Sequence, residues 1–189
     1  MDLLALYQAC GVRRLPVDPG LLSRHLNLSL ITYEQYCRET GTDMLSLLRA
    51  HNPDAFTHAL SDGCVVVYNR QCTPGRRRWS VVHELSHILL NQLGSPGGDD
   101  SAADRLTADI LCPLPVVSLC GVRSVRELHA LCGISHEAAS IRWKSLCAFR
   151  RGEYGPFSEG DWALVRYFYP FISAVLDGFS PQTTTPAVY

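Results

Sequence analysis

Residues 80–92 (Ser-Val-Val-His-Glu-Leu-Ser-His-Ile-Leu-Leu-Asn-Gln) contain neither proline nor glycine, and their apolar side chains recur at helical spacing. Val81, Val82, Leu85, Ile88 and Leu89 fall on one side, so the segment is expected to be a helix buried along that stripe. His83, Glu84, His87 and Asn91 gather off the stripe, and the fold must leave that polar face lining a cleft. Two histidines four apart sit one turn from each other, where they can share one metal ion. The glutamate beside the first is placed to take a proton from water that the metal acidifies. Ser80 is the expected N-cap, and Gly94-Ser95-Pro96-Gly97-Gly98 the expected stop.

A catalytic zinc needs three protein ligands, so a further donor must come from elsewhere. Extension of the motif along the same helix requires glycine at 90 and histidine at 93, where this chain has Leu90 and Leu93. The remaining solution is a carboxylate from a following helix. Residues 99–111 supply one, with an apolar face of Ala102, Ala103, Leu106, Ile110 and Leu111 closed by Cys112-Pro113. Asp100 and Asp104 lie one turn apart on it. That spacing suits one metal ligand and one outer acceptor that orients a ligand histidine.

These segments together resemble the ImmA/IrrE-type metallo-endopeptidases, small bacterial and phage zincins with a gluzincin-like ligand plan. The resemblance covers most of residues 1–147. It rests on Pro16-Val17-Asp18 before an early helix, on Val65-Val66-Val67-Tyr68-Asn69, and on Arg76-Arg77-Arg78 leading into His83-Glu84-Leu85-Ser86-His87. An acidic helix ending Ile110-Leu111-Cys112-Pro113 and the segment from Cys132 to Trp143 extend it. The resemblance implies that His83 and His87 bind zinc, that Glu84 is the general base, that Asp100 is the third ligand, and that Asp104 takes the place of the family's Asn or Asp. Aspartate stands where the family usually has glutamate. It is one methylene shorter, so its helix must approach about 1–1.5 Å closer. Asp99 is the alternative ligand should the helix begin one residue later. Ligands of this type suit zinc first, and manganese or iron less well. Tyr68, Arg76 and His129 are candidates by residue type for stabilising an oxyanion.

The expected fold is α+β: a minimal zincin-like domain with a short mixed or antiparallel sheet packed on the HExxH helix and the second acidic helix. Residues 55–60 and 64–69 read as a hairpin around Ser61-Asp62-Gly63. Its second strand, with Val67, Tyr68 and Asn69, is the expected place for a substrate peptide to pair. Helices are expected at 3–9, after Asp18-Pro19, and from Thr42 to about His51, with a strand at 28–33. A helical hairpin follows at about 124–147, opened by a Ser124–Glu127 capping box, turned at Gly133-Ile134 and resumed from Ser135. Its spacing resembles a helix-turn-helix, with Ile141 and Trp143 expected in the core. A last helix at 161–169 should end before Pro170.

With 189 residues and 47% apolar content, residues 1–179 are expected to form one domain, with 180–189 a flexible tail. A net charge of −1 gives no electrostatic case for general nucleic-acid or membrane binding. No apolar run approaches the ~18–20 residues of a membrane span. Without a recognisable export signal the expected location is cytoplasmic, and the eight cysteines are expected as reduced, buried thiols. The expected activity is zinc-dependent hydrolysis of a peptide bond in a specific protein. By resemblance that protein is a helix-turn-helix repressor, whose cleavage relieves repression. The alternatives are a degenerate zincin acting as a non-hydrolytic anti-repressor, or a DNA-binding regulator.

Overall fold

A computed structural model describes residues 2–61, 63–92 and 100–178. The glycine-rich segment after Gln92, Asp99 and the expected tail at 180–189 lie outside the described residues. The fold is α+β, with a three-stranded mixed sheet among many helices. The chain divides into two compact units. One is Asp18–Thr107; the other joins the residues up to Val17 with the chain from Ala108 onward.

The unit at Asp18–Thr107 contains the sheet. Its strands are β1 (Ser29–Thr32), β2 (Ala55–Leu60) and β3 (Gly63–Tyr68), in spatial order β1-β3-β2. β3 pairs parallel with β1 and antiparallel with β2, placing Thr32 and Ala55 either side of Tyr68. Alternation sends Phe56, Val65 and Val67 to one face, where they pack with Tyr33, Tyr36 and Leu47. Tyr33 and Tyr36 belong to α3 (Tyr33–Thr40) and Leu47 to α4 (Met44–Ala50), capped by the side chains of Thr32 and Asp43. α3 has no counterpart among the helices expected from the sequence. The helix α5 (Pro74–Leu89) packs against β2, β3 and α2 (Pro19–His25). Val81, Val82 and Leu85 are fully buried on it.

The start of α5 corrects the sequence reading. Its N-cap is Thr73 with Pro74 at the first helical position, and Ser80 lies well inside, bonding back to the Arg76 carbonyl at 3.1 Å. Proline's fixed φ is already helical and its missing N–H is not needed there, so Pro74 opened the helix two turns earlier.

The other unit holds α1 (Leu3–Cys10), the last turn of α6 (Asp100–Leu111), and α7 to α10. α7 spans Leu114–Leu119, α8 Val125–Cys132, α9 His136–Arg150 and α10 Glu159–Leu176. Its core holds Tyr7, Ile110, Leu111, Leu128, Ile134, Leu146 and Phe168. The Tyr7 hydroxyl donates to the Ile110 carbonyl at 2.6 Å, and Arg142 donates to the Cys112 carbonyl at 3.0 and 2.7 Å and to Asp109 at 2.6 Å. Carbonyls at a helix C-terminus have no intrahelical donor, and these side chains provide one.

Three local expectations need correcting in this unit. α10 runs straight through Pro170 to Leu176, because Val165, Phe168, Phe171 and Ile172 bury the turns on both sides. Ser124 caps α8, but the Glu127 carboxylate reaches the Arg123 N–H at 2.8 Å rather than that of Ser124. Ile141 is 65% exposed on α9, not in the core.

Candidate metal centre

His83 and His87 project from one side of α5, a turn apart, with their rings 4.7 Å apart. Asp100 and Asp104 come from the first turns of α6. The helices meet at a buried polar contact between Ser86 and Thr107, 3.0 Å apart, with the Ser86 hydroxyl also within 2.8 Å of the Val82 carbonyl. Asp100, Asp104 and Thr107 share a face of α6 at helical spacing, and each meets a residue of α5.

Among the described residues, His83, His87 and Asp100 form the one group of three whose ligand atoms all lie within 4.8 Å of one another, and it could hold a metal ion. The two Nε2 atoms are 3.1 Å apart, and Asp100 Oδ1 lies 3.3 Å from that of His87 and 4.0 Å from that of His83. A point equidistant from these three atoms lies about 2.1 Å from each, a bond length that zinc takes to imidazole and carboxylate. The widest side is the one to His83, as a carboxylate one methylene shorter than glutamate would leave it.

The outer contacts support the same reading. His83 Nδ1 is 2.9 Å from Asp104 Oδ1, and His87 Nδ1 is 2.9 Å from Gln92 Oε1. The Asp104 carboxylate is an acceptor and Gln92 presents its amide oxygen, an arrangement that suits a proton on each Nδ1 and leaves each Nε2 free to present a lone pair. At 3.1 Å, beside a carboxylate, the two Nε2 atoms suit a proton or a metal cation held between them. The histidine side chains are 19% and 16% exposed, whereas that of Asp100 is 82% exposed, so the cluster opens to solvent on the α6 side.

The carboxylate of Glu84, next to His83 on α5, is tied to the sheet. Its Oε2 accepts a 2.7 Å hydrogen bond from the hydroxyl of Thr57 on β2. Burial raises the carboxyl above its ordinary range, opposed chiefly by the Thr57 hydrogen bond.

The structure thus brings together His83, His87, Asp100 and Asp104, with Glu84 beside them. Asp99, the alternative ligand, lies outside the described residues. The substrate-strand expectation is corrected. Val67 and Tyr68 belong to β3, which is paired on both sides and has no edge to offer, while the backbone N–H of Asn69 donates to Asp54. The strand that is both at a sheet edge and in contact with α5 is β2. Of the oxyanion candidates, Arg76 is engaged by Asp54 at 2.5 Å, His129 lies within 2.5 Å of the Ile134 carbonyl, and Tyr68 is buried at the end of β3.

Thr57, Gln92 and the Ser86–Thr107 contact were missed by the sequence reading. Nothing in a strand of mixed polarity marks Thr57 as a partner of a residue 27 positions on. Gln92 lay five residues beyond His87, past the end of the helix. No protein-family model, curated protein or solved structure matches the chain.

Proposed function

We propose that this chain is a zinc-dependent endopeptidase of the zincin type, resembling the ImmA/IrrE family. The observation that carries the reading is the convergence of three cation-seeking atoms with Glu84 on the same helix. Zinc there would polarise a peptide carbonyl and acidify water. His83, His87 and Asp100 would hold it, and Asp104 keeps His83 turned with Nε2 toward it. Glu84, held by Thr57, is the base that accepts the proton from the attacking water and returns it to the leaving amine.

Substrate binding in this reading uses the edge of β2, which an extended peptide can extend by one strand. The protein substrate, a helix-turn-helix repressor whose cleavage relieves repression, comes from the resemblance alone.

A second reading keeps the metal and drops hydrolysis, leaving a protein that sequesters its partner; the substitution of aspartate for the family's usual glutamate at Asp100 is what keeps it open. The DNA-binding reading is weaker. The exposed face of α9 offers His136, Glu137, Ile141 and Lys144, while Arg142 is buried and paired with Asp109. A DNA reader needs exposed cations to meet phosphates.

Elemental analysis of the purified chain and its Glu84→Gln variant, beside peptide-bond cleavage assays, tests the proposal. About one zinc per chain in both, with cleavage lost only in the variant, is the expected result. Zinc without cleavage in the wild type would favour sequestration, and no zinc even after addition would sink both metal readings.

A further inference from the structure

The C-terminus of α5 ends in an unusual way for a helix followed by a glycine-rich segment. Leu90 is the C-cap, and Asn91 takes the left-handed conformation with φ +54°. The Asn91 N–H bonds the Ile88 carbonyl at 3.0 Å and the Gln92 N–H bonds the His87 carbonyl at 2.9 Å. These two bonds are the Schellman pattern, in which glycine ordinarily fills the left-handed position. Asparagine tolerates that conformation better than other non-glycine residues. The expected stop at Gly94 is therefore not what ends the helix.

This cap folds Gln92 back over the preceding turn. The same two residues are bonded twice: Gln92 N–H to the His87 carbonyl, and His87 Nδ1 to Gln92 Oε1 at 2.9 Å. We infer that the cap belongs to the metal centre: Asn91 turns the chain so that Gln92 fixes the ring of His87 with its Nε2 toward His83 and Asp100. The inference rests on the metal reading above and adds a positioning residue to it.

The two ligand histidines are then buttressed differently. Asp104 gives His83 an anionic acceptor, and Gln92 gives His87 a neutral one. A carboxylate partner raises the donor strength of an imidazole more than an amide does. The cap is also made of local chain, so His87 keeps its orientation without help from α6. Asp104 holds His83 only while α6 is docked.

The test uses the full chain with Gln92→Leu and Gln92→Glu, and has two readouts. Zinc affinity is measured by competition with a chromophoric chelator, and the tautomer of His87 in metal-free protein by long-range proton–nitrogen NMR. The expected results are a ten- to hundredfold weaker zinc affinity in Gln92→Leu and a mixture of His87 tautomers there. Gln92→Glu, which keeps an acceptor at the same reach, should bind zinc at least as tightly as wild type and hold the Nδ1–H form. Affinity within twofold of wild type and an unchanged tautomer in Gln92→Leu would overturn the inference while leaving the peptidase reading intact. A tenfold loss in Gln92→Glu would overturn it also. If wild type binds no zinc, the peptidase reading fails, and the His87 tautomer still decides whether Gln92 fixes the ring.

Discussion

At the scale of single residues, proton positions carry the argument. Asp104 and Gln92 each suit a proton on one Nδ1, which leaves the two Nε2 atoms free to hold a cation beside a carboxylate. Asp100 completes the set from the exposed side, so Asp100→Ala should abolish stoichiometric zinc while leaving the fold intact, as read by elemental analysis and circular dichroism. Thr57 touches Glu84 rather than the histidines. Thr57→Val removes the 2.7 Å donor to Glu84 at nearly constant volume. We expect zinc content to stay at wild-type level and kcat to fall roughly tenfold, the scale of one lost hydrogen bond to a charged group. Thr57→Ser should restore most of the rate, and a raised KM with unchanged kcat in Thr57→Val would show that Thr57 serves substrate binding instead. Of these residues, the ligand histidines, Glu84, Asp100 and Asp104 were readable from spacing, because helical periodicity puts neighbours three and four apart on one face. Thr57 was not, because a strand-to-helix contact across 27 residues leaves no periodic trace.

At the scale of elements, two helix ends depart from the simplest reading. Pro74 opens α5 two turns earlier than Ser80 would have, and Asn91 closes it before any glycine. Each was present in the sequence as a signal, but Ser80 and Gly94 stood nearby as competing ones. α10 makes the same point, since Pro170 has no N–H to give yet lies inside the helix. Pro170→Ala should therefore stabilise the chain by about 1 kcal/mol or more, up to the ~3 kcal/mol that proline costs in a helix interior. Thermal denaturation reads this directly, and a lower midpoint would mean that the proline is needed where it stands. α5 depends instead on burial: Leu85, fully enclosed, should cost about 2–5 kcal/mol on replacement by alanine in chemical denaturation.

At the scale of the molecule, each compact unit has its own core, one around the sheet and the other around Tyr7, Leu128, Leu146 and Phe168. No helix among the described residues is long and apolar enough to cross a membrane. In the helical unit, the side chain of Arg142 is buried against Asp109 and the Cys112 carbonyl. Arg142→Leu should cost about 3 kcal/mol in denaturant unfolding, because the acceptors it leaves behind lose their donor. Zinc binding should stabilise the folded chain by mass action, about 2.7 kcal/mol at a hundredfold excess over its Kd, and a chelator should reverse it. A melting temperature indifferent to zinc would contradict a site made by folding. The sequence by itself determined the α+β class, most helices and strands, and the five polar residues of the centre, since periodicity, caps and turn residues act over a few positions. Tertiary structure alone decided that β3 is central and β2 the available edge, that Thr57 meets Glu84, and that Asn91 and Gln92 close α5 over His87. Those outcomes depend on which strand pairs with which and on contacts between residues far apart in the chain or beyond a helix end, and helical or strand periodicity does not encode them.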